Sequence, residues 1–105
     1  MEHSPADHVR ALSALGHEAR LEVYRLLVRA GPEGLNIGEI GALTGAPAST
    51  LAHHLRALVA ARLVSQEKQG REVINRADFE TIKQTIAFLT DECCQGVDAR
   101  PNAAA

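Results

Sequence analysis

Two short apolar-patterned segments separated by a turn, with an alternating segment directly after them, constrain this chain more than any other feature. Asn36 and Glu39 stand three residues apart, the spacing of a capping box, and Ile37, Ile40 and Leu43 follow at helical intervals until Gly45. Pro47 opens the next helix, along which Leu51, His54, Leu55 and Leu58 share one side while Ser49, Thr50, Ala52, His53 and Arg56 share the other. The joint "TGAPAS" is short and contains glycine, the connection that sets two helices at a steep angle in a helix-turn-helix. Next, "RLVSQEKQGREVINR" alternates apolar and polar residues on either side of Gln69-Gly70, which predicts a β-hairpin. A hairpin in that place is a wing.

The remaining punctuation predicts three further helices. Ser4-Pro5-Ala6-Asp7 has an N-cap, a proline at the first helical position and an acid in the first turn, with Val9, Leu12 and Leu15 behind it and Gly16 as a stop. "HEARLEVYRLLVRAG" carries a second helix that Gly31-Pro32 ends. Asp78 caps a last helix on which Phe79, Ile82, Ile86, Leu89 and Cys93 recur at steps of three and four. The expected fold is mainly α, a winged helix-turn-helix of about five helices with a two-stranded wing, spanning residues 1–96. Residues 97–105 read as a frayed tail.

A chain of 105 residues allows one domain with one core, so a large multi-step enzyme is not expected. With 46% hydrophobic and 23% charged residues it fits the soluble globular class, and no apolar run has the length of a membrane span. The opening "MEHSPADHVR" lacks the apolar centre of a secretion signal, so the cytoplasm is the expected compartment. Trp is absent and aromatic residues make up 3%, so the core must be aliphatic. A domain this small, with Leu12, Phe79, Ile82, Ile86 and Leu89 striping its first and last helices, is expected to pair with a second copy.

Charge and side-chain size point to DNA. The net charge is −2, yet between Ala46 and Arg71 the charged residues are Arg56, Arg62, Lys68 and Arg71 against Glu67 alone. Positive potential is thus concentrated on the second helix of the motif and on the wing. Ser49, Thr50, Ala52 and His53 are small or polar enough to approach base edges, and Arg56 can reach phosphate or guanine. At the wing tip Lys68 and Arg71 can meet the backbone or a minor groove. His3 and His8 read as solvated, and His17 as facing solvent at the start of the second helix. His54, beside Leu55 and Leu58, reads equally as a core or a DNA-facing histidine.

The only two cysteines, Cys93 and Cys94, are adjacent near the end of the last helix. In a reducing compartment they are free thiols, ligands or redox groups rather than a structural bridge. On a continuous helix they would point about 100° apart, Cys93 on the apolar stripe and Cys94 off it. Packing accounts for Cys93 but not Cys94. Because Gly96 stops the helix, a frayed last turn would let both sulfurs reach one atom. A thiol oxidoreductase would instead carry Cys-x-x-Cys at a helix start.

"ALSALGHEARLEVYRLLVRAG", "LTGAPASTLAHHLRALVAARLV" and "KQGREV" resemble segments of the ArsR/SmtB repressors, from about Val9 to Gly96. The resemblance implies a homodimer that binds double-stranded operator DNA with an inverted repeat and releases it on binding a metal or metalloid. It also implies no enzymatic activity, no membrane association and no constitutive cofactor. That family has Ser where this chain has Ala52, so the base contact would fall to Ser49 or Thr50. Its cysteine box on the third helix is missing from Leu35–Ile40, and its zinc pattern is missing from Asp78-Phe79-Glu80, with no histidine after His54. "DECCQG" resembles the arsenite-responsive branch, which implies trivalent arsenic or antimony as inducer at Cys93 and Cys94. The third cysteine of that branch is absent; Arg100 or a neighbour stands there. Methylated trivalent arsenic needs two thiolates, and thiol oxidation, persulfidation or another soft metal is the alternative signal.

Overall fold

Capping by short polar side chains sets the helix ends in the computed structural model, which describes residues 3–98. Helix α1 (Pro5–Leu15) starts with a reciprocal capping box between Ser4 and Asp7, and α2 (Glu18–Ala30) runs into a 3₁₀ turn, Gly31–Glu33. Asn36 and Glu39 cap α3 (Ile37–Thr44) in the same reciprocal way, and Gly45 closes it in the left-handed conformation, φ 76°. Pro47 precedes α4 (Ala48–Ala60). Strands β1 (Val64–Gln69) and β2 (Glu72–Ala77) pair antiparallel, and Asp78 accepts from the Glu80 amide to open α5 (Phe79–Thr90). Five helices and a two-stranded wing are as expected.

Three details differ from the expectation. The register pairs Gln69 with Glu72, so the hairpin turns on Gly70-Arg71 rather than Gln69-Gly70. Helix α5 stops at Thr90, and Cys93 and Cys94 follow in a run of turns in which Glu92 and Cys94 take positive φ. Ile82, assigned to an exposed dimer stripe, packs against the core of its own chain. The predicted tail lies outside the described residues from residue 99 onward.

The core is aliphatic: Leu27, Ile40, Leu51, Leu55, Leu58 and Leu63 are buried together beneath α2, α3 and α4. The wing is tied to this core through Leu35, which exchanges two backbone hydrogen bonds with Asn75 and accepts a third from its side chain. Gly34 makes that approach feasible. Its φ of 66° and ψ of −173° belong to a region open essentially to glycine, and an added Cβ would lie 2.5 Å from the Asn75 carbonyl oxygen. Gly34→Ala is therefore expected to destabilise the fold by at least ~1–3 kcal/mol, checked by urea unfolding.

Candidate nucleic-acid interface and thiol site

Leu51, His54, Leu55 and Leu58 form the buried side of α4, which leaves Ser49, Thr50, His53 and Arg56 exposed and Ala52 half-buried. A groove of about 630 Å³ runs between α4 and the wing, lined among others by Asn36, Ala52, Arg56, Gln66, Arg71 and Glu72. It brings Arg56 and Arg71, far apart in sequence, to one side of the molecule. Lys68 is exposed on the hairpin. The one acid within the basic stretch is neutralised locally: Glu67 accepts from Arg76 Nη1 at 2.6 Å, and that bond, then one from Gln69, holds its carboxyl below the ordinary range. Arg76 Nε also donates to the Pro32 carbonyl, fastening the wing to the body. All seven residues predicted to contact DNA thus lie on α4 or the wing, none of them fully buried.

The second site follows α5, toward the C-terminal end of the chain. Both cysteines are free and exposed, and their sulfurs are 2.9 Å apart. The 100° separation expected on a helix does not apply, because the helix has already ended. The hydrogen bond shared with Cys94, and then desolvation, hold the Cys93 thiol above its ordinary pKa. No group of three or more His, Cys, Asp or Glu able to hold a metal ion occurs among the described residues.

Sequence reasoning missed the packing of His3 and His8. His8 is buried, its Nδ1 is 2.8 Å from Thr85 Oγ1, and its ring stacks on Phe88 at 4.5 Å. His3 Nε2 is 2.9 Å from Thr81 Oγ1, and its ring stacks on His8. Thr81 and Thr85 are the buried residues of α5, so one His–Thr pair fastens α1 to α5 and a second fastens the segment ahead of α1. The available signal was Thr81 and Thr85 at i, i+4 on a helix whose other face is apolar. That packing leaves Val9, Leu12, Phe79, Ile86 and Leu89 exposed on α1 and α5, four of them among the residues of the proposed dimer stripe.

A recognition helix after a tight turn, a basic wing behind it and small polar residues on the outward face define a winged helix-turn-helix regulator of transcription. A family model described as a helix-turn-helix domain matches residues 15–67, and the chain belongs to that family. Solved structures similar to this chain include ArsR-family regulators. An ArsR-like transcriptional regulator from Rhodococcus sp. RHA1 superposes with a TM-score of 0.72 at 28% identity, covering 80% of this chain and 76% of that one. HlyU from Vibrio cholerae N16961 gives 0.68 at 28% identity, covering 90% of this chain and 100% of its own. A homodimeric winged helix-turn-helix DNA-binding domain from Mycobacterium bovis shares the fold at 0.66 and 22% identity, over 90% and 93% of the two chains. No curated protein is similar enough to match. Fold and family are those of transcription regulators rather than enzymes, and no described helix is long and apolar enough to cross a membrane.

Proposed function

We propose that the protein is a homodimeric repressor of an operator with an imperfect inverted repeat, and that it leaves DNA when Cys93 and Cys94 bind a trivalent arsenical. The observation that carries the sensing is the exposed pair of free thiols with sulfurs 2.9 Å apart. Soft thiolates select soft centres. A monomethylated trivalent arsenical bearing two hydroxyls exchanges both for sulfur: two As–S bonds form, two As–O bonds break, and the thiol protons leave in two waters. Arsenic keeps its oxidation state. Arsenite and antimonite follow the same exchange and take a third ligand from a small thiol, water or the other subunit.

Thiol oxidation is the alternative, and two features count against it. Redox-sensing cysteines are held at low pKa, whereas Cys93 is held high. Neighbouring Cα atoms are about 3.8 Å apart, short of the roughly 4.4 Å at which disulfides usually begin.

The coupling runs through α5. The thiol pair follows directly on the helix whose Phe88 stacks on His8 of α1, and both helices present the apolar face proposed to join two copies. Drawing both sulfurs onto one atom reshapes the turn after Thr90, shifts Phe88 against α1 and changes the spacing of the two reading heads. Release titrated with arsenite, a monomethylated trivalent arsenical, zinc, cadmium and peroxide tests the reading. The arsenicals should act at the lowest concentrations; release by peroxide or zinc alone would overturn it.

On DNA the division of labour is between bases and backbone. Ser49, Thr50, His53 and Arg56 enter the major groove in half-sites about 34 Å apart, while Lys68 and Arg71 meet phosphate or minor groove. Arg71→Ala should weaken binding to all duplexes alike and flatten the salt dependence by ~0.9 per lost phosphate contact. Thr50→Ala or His53→Ala should instead relax base preference. Competition binding on randomised duplexes separates the two, and equal loss of preference in both classes would contradict the assignment.

A further inference from the structure

The start of α2 and the middle of α4 meet in a cluster of basic groups of which only His53 belongs to the reading face. His17 is the N-cap of α2, in extended backbone, with no side chain capping the helix. The amides that open a helix have no partner within it and carry the positive end of its dipole. Beside the His17 ring lies His54 of α4, 6% exposed, with its Nδ1 buried and unpartnered. Its ring is 5.0 Å from that of His17 and 5.9 Å from that of His53. Arg20, one turn into α2, also keeps its Nε buried without a partner. The charges acting on His54 come from Arg20 and His17 on α2 and from His53 on its own helix, all basic. Glu18 is the one acid in the first turn of α2 and is exposed.

We propose that this cluster is a seat for one phosphate of the DNA backbone, held by the α2 N-terminus, Arg20 and His17, with His54 beside them and His53 at its edge toward the groove. It is distinct from the wing contact and rests on the reading of α4 as the helix that enters the groove. Unpartnered basic nitrogens beside a helix N-terminus suit an anion. His53 selects the source of that anion. It is exposed on the outward side of α4 and also borders His54, so a duplex that receives α4 in its major groove brings its flanking strand to the start of α2.

The seat has a proton linkage. Burial first, then Arg20, His17 and His53, hold the His54 imidazole below its ordinary pKa in the free protein. A phosphate beside it favours the charged form, so binding DNA takes up protons. The pKa in the complex is then above that in the free protein. The added affinity is fully present below the free-state pKa and is lost as pH rises through the bound-state one.

The test is fluorescence anisotropy of the full-length protein on a mixed-sequence duplex long enough for two half-sites, over a range of salt and pH. The parent chain should bind more weakly as pH rises from ~6 to ~8. His17→Gln with Arg20→Gln should lower affinity about tenfold and reduce the salt slope by ~2 per dimer, at ~0.9 for each of two phosphates. Glu18→Gln should strengthen binding and Arg20→Lys should keep most of it. His17 is exposed, so His17→Gln alone serves if the double variant fails to fold, and it should lose about half of that slope change. The imidazole resonances of the unmodified protein give a second readout: they should shift with duplex at concentrations where inorganic phosphate leaves them unmoved. An unchanged salt slope and pH dependence in the variants, while the parent binds duplex, overturns the seat. Equal resonance shifts with inorganic phosphate and no loss of DNA affinity would assign it to a free anion instead. Failure of the parent chain to bind any duplex would remove the DNA-binding reading itself, and the seat with it.

Discussion

Ile86→Glu is expected to give a folded monomer whose affinity for DNA is at least ~100-fold below that of the parent chain. Ile86 is 56% exposed in the single chain, next to Leu89 at 59%, with Val9 at 65% and Leu12 at 41% on the neighbouring helix. Apolar surface of this kind on one face marks an association site. The inward side of α5 is held by Thr81, Thr85 and Ile82, so a change at Ile86 leaves the core of the chain intact. In a twofold interface the same patch meets its own copy, so each substitution appears twice and two carboxylates are buried near one another. A monomer keeps one reading head and loses the gain from engaging two half-sites together. Sedimentation equilibrium and anisotropy check both consequences. A variant that remains dimeric would sink the assignment of this face.

Cys93→Ser and Cys94→Ser, singly or together, are expected to bind operator within about twofold of the parent and to resist release by arsenicals at ~100-fold higher concentration. Both side chains are exposed, so neither change should cost more than ~0.5 kcal/mol of stability. With one thiol, an arsenical forms a single bond to the protein and the intramolecular advantage of the second is lost. The coupling required is modest: ~1–3 kcal/mol between the thiol site and the DNA face changes affinity by roughly 5- to 150-fold. Stopped-flow release should also quicken with rising pH, because Cys93 is held above its ordinary pKa and thiolate grows as pH rises toward it. A double variant that still leaves DNA on adding arsenite or its methylated form would reduce the pair to surface residues.

The helix starts, the tight turn and the outward side of α4 were legible in the sequence because each depends on residues three or four apart. Ser4 with Asp7 and Asn36 with Glu39 close their capping boxes at that range, and the two sides of α4 separate by helical period alone. The same local logic overran at the other end. Continuing the stripe from Leu89 to Cys93 assumed that the helix persisted, whereas it stops at Thr90 and positive φ at Glu92 and Cys94 turns the chain. That departure is what brings the two sulfurs within 2.9 Å.

Which apolar residues of α5 face inward, and where the histidines go, only packing decided. His8 meets Thr85 across 77 positions of sequence, and no local spacing encodes such a contact. Its burial turns Thr81, Thr85 and Ile82 toward the body and leaves Ile86 and Leu89 outside. His54 follows the same rule: helical period places it on the inner side of α4, but the approach of α2 supplies His17 and Arg20 as its neighbours. The sequence by itself determined the order of the helices and wing, the turn between α3 and α4 and the outward side of α4, because those rest on short-range hydrogen bonds and periodicity. Tertiary structure decided the environments of His8 and His54, because burial and charge act through space between helices distant in the chain.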